Sequence, residues 1–254
     1  MKGKRGVVEG EIASPRGVAV DKGYGLIYIV DFFTKIVSIY TLEGDFLKSF
    51  GRGILHDPHG ICLSEEFVFV TNRGTNSITK FLKSGHLVHD SKYANPGLQL
   101  SLLSSLCTHN KYVYVCNRAK HRIELFNCDL LFIKSFGQRR FHCPEDIKIN
   151  NDVIFVVTQS EQTIYAFSTD LEFISTISLT GQNISIAFFF TIDLNSNFIF
   201  SDFHAGRLEV FSSSGEHIDS LGDNYLSFPG GISMDGNNRI VTVSQSDINS
   251  IQIY

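Results

Sequence analysis

The chain repeats itself six times. Short apolar strands, each ending in a polar residue, recur as LIYIVD to Asp31, FVFVTN to Asn72, YVYVCN to Asn117, VIFVVT to Thr158, NFIFSD to Asp202 and IVTVSQ to Gln245. Their ends lie 41, 45, 41, 44 and 43 residues apart. A period of about 40–45 residues accommodates the four strands of one propeller blade. Six copies therefore predict an all-β fold, a six-bladed β-propeller of four-stranded blades spanning residues 1–254 as one domain.

Each copy has the same internal order. A first strand follows a Pro-x-Gly-like start, as in Pro15-Arg16-Gly17, Pro58-His59-Gly60, Pro144-Glu145-Asp146 and Pro229-Gly230-Gly231. The apolar strand above comes second. A third follows a short polar loop, as in KIVSIY at 35–40 or RLEVFS at 207–212, and the fourth ends in Ser-Phe-Gly at Gly51 and Gly137. Apolar runs bounded by Gly, Asn, Asp and Ser are strand signals, and no stretch of useful length has helical period. The blades fall roughly at 15–51, 58–90, 103–137, 144–179, 187–222 and 229–254. The last copy stops after three strands, so residues 6–9 are expected to supply its fourth strand and close the ring. The middle of the first strand is Ala19, Cys62, Cys107, Lys148, Thr191 and Ser233 in turn. Small residues suit crowding near the axis; Lys148 is the exception.

The closest copy, Asn117-Arg118-Ala119-Lys120-His121-Arg122-Ile123-Glu124-Leu125-Phe126 running on to Lys134-Ser135-Phe136-Gly137, resembles the NHL repeat. So does Pro15-Arg16-Gly17-Val18-Ala19-Val20-Asp21. The resemblance covers essentially the whole chain. Blade two departs from it by lacking Ser-Phe-Gly, and blade five by lacking the Pro-x-Gly start. It implies the six-bladed fold and leaves several functions open, because fold does not choose function. NHL propellers occur in TRIM-type and malin-type ubiquitin ligases, where they bind proteins or RNA, and in an amidating lyase.

The enzyme readings find few residues. The amidating lyases that the repeat resembles hold zinc through histidines at several Pro-His starts, and catalytic zinc takes three protein ligands. The equivalent residues here are Arg16, His59, Ser104, Glu145, Phe188 and Gly230, of which only His59 fits. A calcium-dependent lactonase could use Asp31, Asn72, Asn117 and Asp202 as oxygen ligands, but short polar residues at strand ends more often cap the following loop. No nucleophile–base pair or phosphate loop stands out. The chain is thus expected not to be an enzyme and to need no cofactor or metal.

The binding reading rests on arginine. With Lys+Arg 22 against Asp+Glu 26 the whole chain is nearly neutral, so any electrostatic argument must come from placement. Loops entering the first strand and loops joining the second to the third share one face, here called the top. Arg16, Arg52, Arg73, Arg118, Arg122, Arg139, Arg140 and Arg207 map to or beside it, with Lys120, His59 and the aromatics Phe141 and Phe203. Arginine grips carboxylate and phosphate in a forked geometry. The expected role is a recognition or scaffold module binding a protein partner through this face, within a ubiquitin-ligase system if the resemblance extends so far. The alternative is single-stranded RNA, whose bases would stack on the loop aromatics. Neither a membrane nor DNA is expected as a partner. The five cysteines form no C-x-x-C pair and the amino terminus has no apolar signal core, which together suggest a cytoplasmic setting.

Overall fold

The computed structural model describes residues 10–95, 97–158, 161–184, 187–222, 226–245 and 250–254. Among these, five antiparallel sheets of four strands and a sixth of three follow one another along the chain. Blade one comprises Pro15–Asp21, Leu26–Asp31, Ile36–Thr41 and Phe46–Phe50. The first strands of the other blades are Pro58–Leu63, Leu103–His109, Pro144–Asn150, Ala187–Ile192 and Pro229–Met234. Each contacts the first strand of the next blade, and the last contacts the first, so these six strands form the inner wall of a closed ring. The residues expected to complete blade six, 6–9, lie outside the described ones.

The second strands are largely apolar because both of their faces are buried. Along Leu26–Asp31, Ile27 and Ile29 face a cluster with Val241, Val243 and Ile251 of blade six, whereas Tyr28 and Val30 face Leu55, Val68 and Phe81 of blade two. Side chains of a strand alternate between faces, so every blade feeds two interfaces. Six such clusters fill the six gaps between blades. Ile12, 2% exposed, enters the cluster between blades six and one. Beside it Gln245 Nε2 donates to Pro15 O at 2.7 Å.

The Pro-x-Gly start has a steric cause. A Cβ on Gly17 would stand 2.7 Å from His59 O, and one on Gly60 2.5 Å from Ser104 O. Neighbouring inner strands thus approach backbone to backbone, and glycine admits the contact. Lys148 also finds an account: its Nζ donates to both carboxylate oxygens of Asp146, at 2.8 and 2.9 Å, two residues back on the same strand.

Candidate functional site

Arg16, His59 and Glu145 hold the same place in blades one, two and four. Each follows the proline that opens its inner strand, a position where no ladder donor is lost. Each also falls where the strand slips register against its partner: Pro15 faces Asp31 but Val18 faces Ile29, Pro58 faces Asn72 but Ile61 faces Val70, and Pro144 faces Thr158 but Asp146 faces Val157. Such bulges re-aim side chains. Here they bring all three side chains into one group at the top end of the ring.

Arg73 and Arg118 join them from the loops between second and third strands. Each opens a short 3-10 turn, Arg73–Thr75 or Arg118–Lys120, that ends on a left-handed residue, Asn76 at φ 49° or His121 at φ 53°. The preceding asparagines anchor these loops. Asn72 Oδ1 accepts from His56 N at 2.8 Å, and Asn117 Oδ1 accepts from Ser101 N at 3.2 Å. Arg73 Nε then donates to Leu103 O of blade three at 2.7 Å, which ties its guanidinium to the neighbouring inner strand.

The other four side chains converge on the Glu145 carboxyl. Arg73 Nη2 lies 3.5 Å from Oε1, Arg118 Nε 3.1 Å from Oε2 and His59 Nε2 4.0 Å from Oε1. Arg16, whose guanidinium rests 5.4 Å over the Phe32 ring, adds its field to both Glu145 and His59. The His59 ring stacks at 5.5 Å on Phe189 of blade five, opposite it in the ring, so the pair bridges the axis beneath the arginines. Glu145 is 1% exposed, whereas the Arg73 and Arg118 side chains are 22% and 26% exposed and face the opening.

Burial dominates the titration of this group. It pushes the Glu145 carboxyl up to about 7, with Asp146 adding to the rise, although Arg118, Arg73 and Arg16 pull the other way. Burial and the same three arginines hold His59 well below the usual imidazole range, so it is neutral. Burial also lowers Arg73 to about 10. Near neutral pH the group therefore bears about two to three positive charges, one per arginine less the partly ionised carboxyl. Its hydrogen bonding is incomplete as well. Arg16 Nε, Arg73 Nη2, His59 Nδ1 and Glu145 Oε2 are buried with no hydrogen-bond partner among the described residues. Buried polar atoms are normally paired, and a cluster of unpaired ones marks a place where a ligand can complete the set.

Four of the twelve expected binding residues, Arg16, His59, Arg73 and Arg118, come together here. The rest do not. Phe141 is a correction: it is 2% exposed and packs edge-on against Tyr165 and Phe167 in the core between blades three and four. Arg140 turns outward, 4.3 Å over the Phe173 ring on the outermost strand of blade four. Arg122 and Arg207 are held by glutamates two residues on, Nε to Glu124 Oε1 at 2.7 Å and to Glu209 Oε1 at 2.6 Å. Phe203 is half-buried against Phe228 at 5.0 Å. Arg52 and Arg139 are exposed, and Lys120 Nζ donates to Gln99 Oε1 at 2.9 Å on the rim.

The strand-end residues act as caps. Asp31 takes Ala13 N and Ser14 N on Oδ2, at 2.7 and 2.8 Å, and Phe33 N and Thr34 N on Oδ1, at 3.0 and 2.8 Å. Asp202 Oδ1 takes Ala205 N at 3.0 Å. Among the described residues no group of three or more His, Cys, Asp or Glu is placed to hold a metal. Glu145 is the residue that sequence reasoning passed over. Its position beside Arg16 and His59 in the repeat alignment was the available signal.

No family model and no curated protein matches the chain. Solved structures do. A gluconolactonase of Xanthomonas campestris superimposes with a TM-score of 0.76 at 12% identity, covering 97% of this chain and 88% of that one. The nidogen chain of a nidogen–laminin complex gives 0.71 at 17% identity, covering 81% and 79%. A streptogramin B lyase gives 0.69 at 12% identity, covering 97% of each. The chain is therefore similar to six-bladed propellers, and at these identities the likeness concerns the fold; the NHL name goes beyond it. One expectation is overturned. A lyase and a lactonase share this ring as closely as a protein-binding propeller does, so the exclusion of enzymatic activity does not stand.

Proposed function

We propose that this propeller recognises an anionic group on a protein partner, a side-chain or terminal carboxylate of an acidic segment, seated on Arg16, Arg73 and Arg118 at the axial opening. The observation that supports this is the convergence of three guanidiniums on a single buried carboxyl, leaving positive charge and buried donors in excess. Arginine matches an oxyanion with parallel N–H groups, and a partly desolvated opening strengthens each such bond. The protein partner is favoured over single-stranded RNA by the loop aromatics. Phe141 is buried and Phe203 rests on Phe228, so two rings that would stack on bases are engaged internally. The similarity to a nidogen chain seen with laminin agrees with a protein partner.

The test is titration of the purified chain with a fluorescein-labelled acidic decapeptide, and with its glutamine counterpart amidated at the carboxy terminus. Selective binding of the acidic peptide, lost more than tenfold on Arg73→Ala with Arg118→Ala, supports the reading. Equal binding of both peptides, or acidic binding untouched by the double variant, refutes it. Sequence-selective RNA enrichment at physiological salt that the double variant abolishes moves the assignment to RNA.

A further inference from the structure

Resting on that reading, we infer that the opening binds an oxyanion together with a proton, which Glu145 takes up from solvent as the ligand arrives. The argument is geometric. Arg73 and Arg118, whose side chains are 22% and 26% exposed at the opening, are also those that neutralise Glu145, at 3.5 and 3.1 Å. A second anion placed on their open side shares its cations with a carboxyl that is itself 1% exposed. Two carboxylates sharing one buried site do not both stay ionised; one of them binds a proton.

The groups facing Glu145 leave this role to it alone. Arg16 from blade one, and Arg73 and Arg118 from the loops of blades two and three, remain charged. His59 from blade two is held neutral by burial and by the same arginines, so adding a proton there opposes three cations. Asp146, the next residue of the same strand, is committed to Lys148 Nζ, Ile147 N and Phe190 N at 2.8 to 2.9 Å. Protonation of Glu145 Oε2 weakens one ion-pair contact, with Arg118 Nε at 3.1 Å. Its carboxyl, held near 7 by burial, sits within easy reach of a further rise when a second anion arrives. Protonation leaves the arginines to the ligand.

The ligand chemistry is therefore that of an oxyanion, either a carboxylate or a phosphoryl-type group. Calorimetry of the full chain with two probes separates these sources: acetyl-triglutamyl-amide for carboxylates, and inorganic sulfate, which does not titrate between pH 6 and 9. At pH 7.5 the binding enthalpy should vary with the ionisation enthalpy of the buffer, reporting uptake of up to about one proton, and affinity should fall by up to about tenfold per pH unit above the liganded carboxyl's range. Glu145→Gln, which has no proton to take up, should abolish both dependences. If that variant does not fold, the buffer dependence of the unmodified chain decides the matter. Binding that Arg73→Ala weakens but that shows no buffer or pH dependence would refute the proton coupling and leave the proposed function intact. No binding of either probe at any pH, or binding unaffected by Arg73→Ala, would overturn both.

Discussion

Two sets of arginines stand on neighbouring elements of this ring and do opposite things. Arg122 and Arg207 begin the third strands of blades three and five, and each meets a wholly buried glutamate on its own strand. Those glutamates are saturated. Glu124 takes Arg122 Nε and Asn117 Nδ2, both at 2.7 Å, and the Ser135 hydroxyl. Glu209 takes Arg207, His217 and Ser220, at 2.6, 2.8 and 2.5 Å, and these partners hold its carboxyl below the usual range despite burial. Arg73 and Arg118, a few residues from equivalent positions, meet Glu145 from other blades, two and three. That carboxyl lies above the usual range and has an oxygen accepting no hydrogen bond. A saturated acid is architecture. An unsaturated one beneath surplus positive charge is where we propose that a ligand docks. Charge and residue type are the same in both places; the completeness of the hydrogen bonding separates them.

The contrast breaks most visibly in stability. Glu209→Ala strands a half-buried Arg207 and His217 and should cost about 3–5 kcal/mol in urea unfolding. Glu145→Ala also strands Arg73 and Arg118, but it removes an acid that burial disfavours and that accepts fewer hydrogen bonds, so it should cost less. Equal losses would erase the distinction. Affinity gives the converse. Arg73→Ala should weaken binding of the acidic decapeptide at least tenfold, about 1.4 kcal/mol. Arg207→Ala should leave that affinity unchanged while lowering unfolding free energy by about 1–3 kcal/mol.

Acid titration sharpens the comparison, because the two carboxyls shift in opposite directions. Glu209 is lower in the folded state than when unfolded, so its stabilisation is present above the ordinary carboxylate value of 4.5 and is lost as pH falls through its folded value. Glu145 is higher when folded, about 7 against 4.5, so the folded chain binds the extra proton and loses stability as pH rises across that window. Urea midpoints between pH 3 and 8 should show Glu209→Gln flattening the acid limb. Glu145→Gln should gain on the parent chain progressively from pH 4.5 to 7. The smallest effect belongs to the rim. Lys120→Ala, exposed beside Gln99, should change stability by less than about 0.5 kcal/mol and affinity by less than about threefold.

The ring was legible in the sequence because its cause is local. Apolar strands and turn residues repeat in each copy, Pro-x-Gly-like starts open four of them, and Gly17, Gly60 and Gly231 report the same close contact in three. The site was half legible. Arg16, Arg73 and Arg118 could be placed on the top face from loop positions alone. Their shared target could not, because Glu145 comes from blade four and only ring closure brings it beneath arginines of blades one to three. Proximity in sequence also misled. Phe141 follows Arg139 and Arg140 in one loop, yet Arg139 takes a left-handed conformation at φ 65°, Arg140 turns outward onto Phe173, and Phe141 drops into the core. Composition cannot separate such neighbours; the path of the backbone does.

The bond from Gln245 to Pro15 has a kinetic meaning. Most contacts in the ring join residues within one blade or in adjacent blades, so five of the six gaps can form progressively, each after a short chain excursion. The last gap joins groups 230 residues apart. By loop-closure scaling, bringing such distant ends together costs about 1.5 kcal/mol more entropy than closing a loop the length of one repeat. Long-range contacts of this kind slow folding. Fastening of blade six onto blade one is then the expected late event in assembly, and its release the expected early event in unfolding. The arrangement behaves as a clasp: Arg16, one residue beyond Pro15, reaches its final place only when the ends meet, so a chain that has not closed has not assembled its arginine cluster.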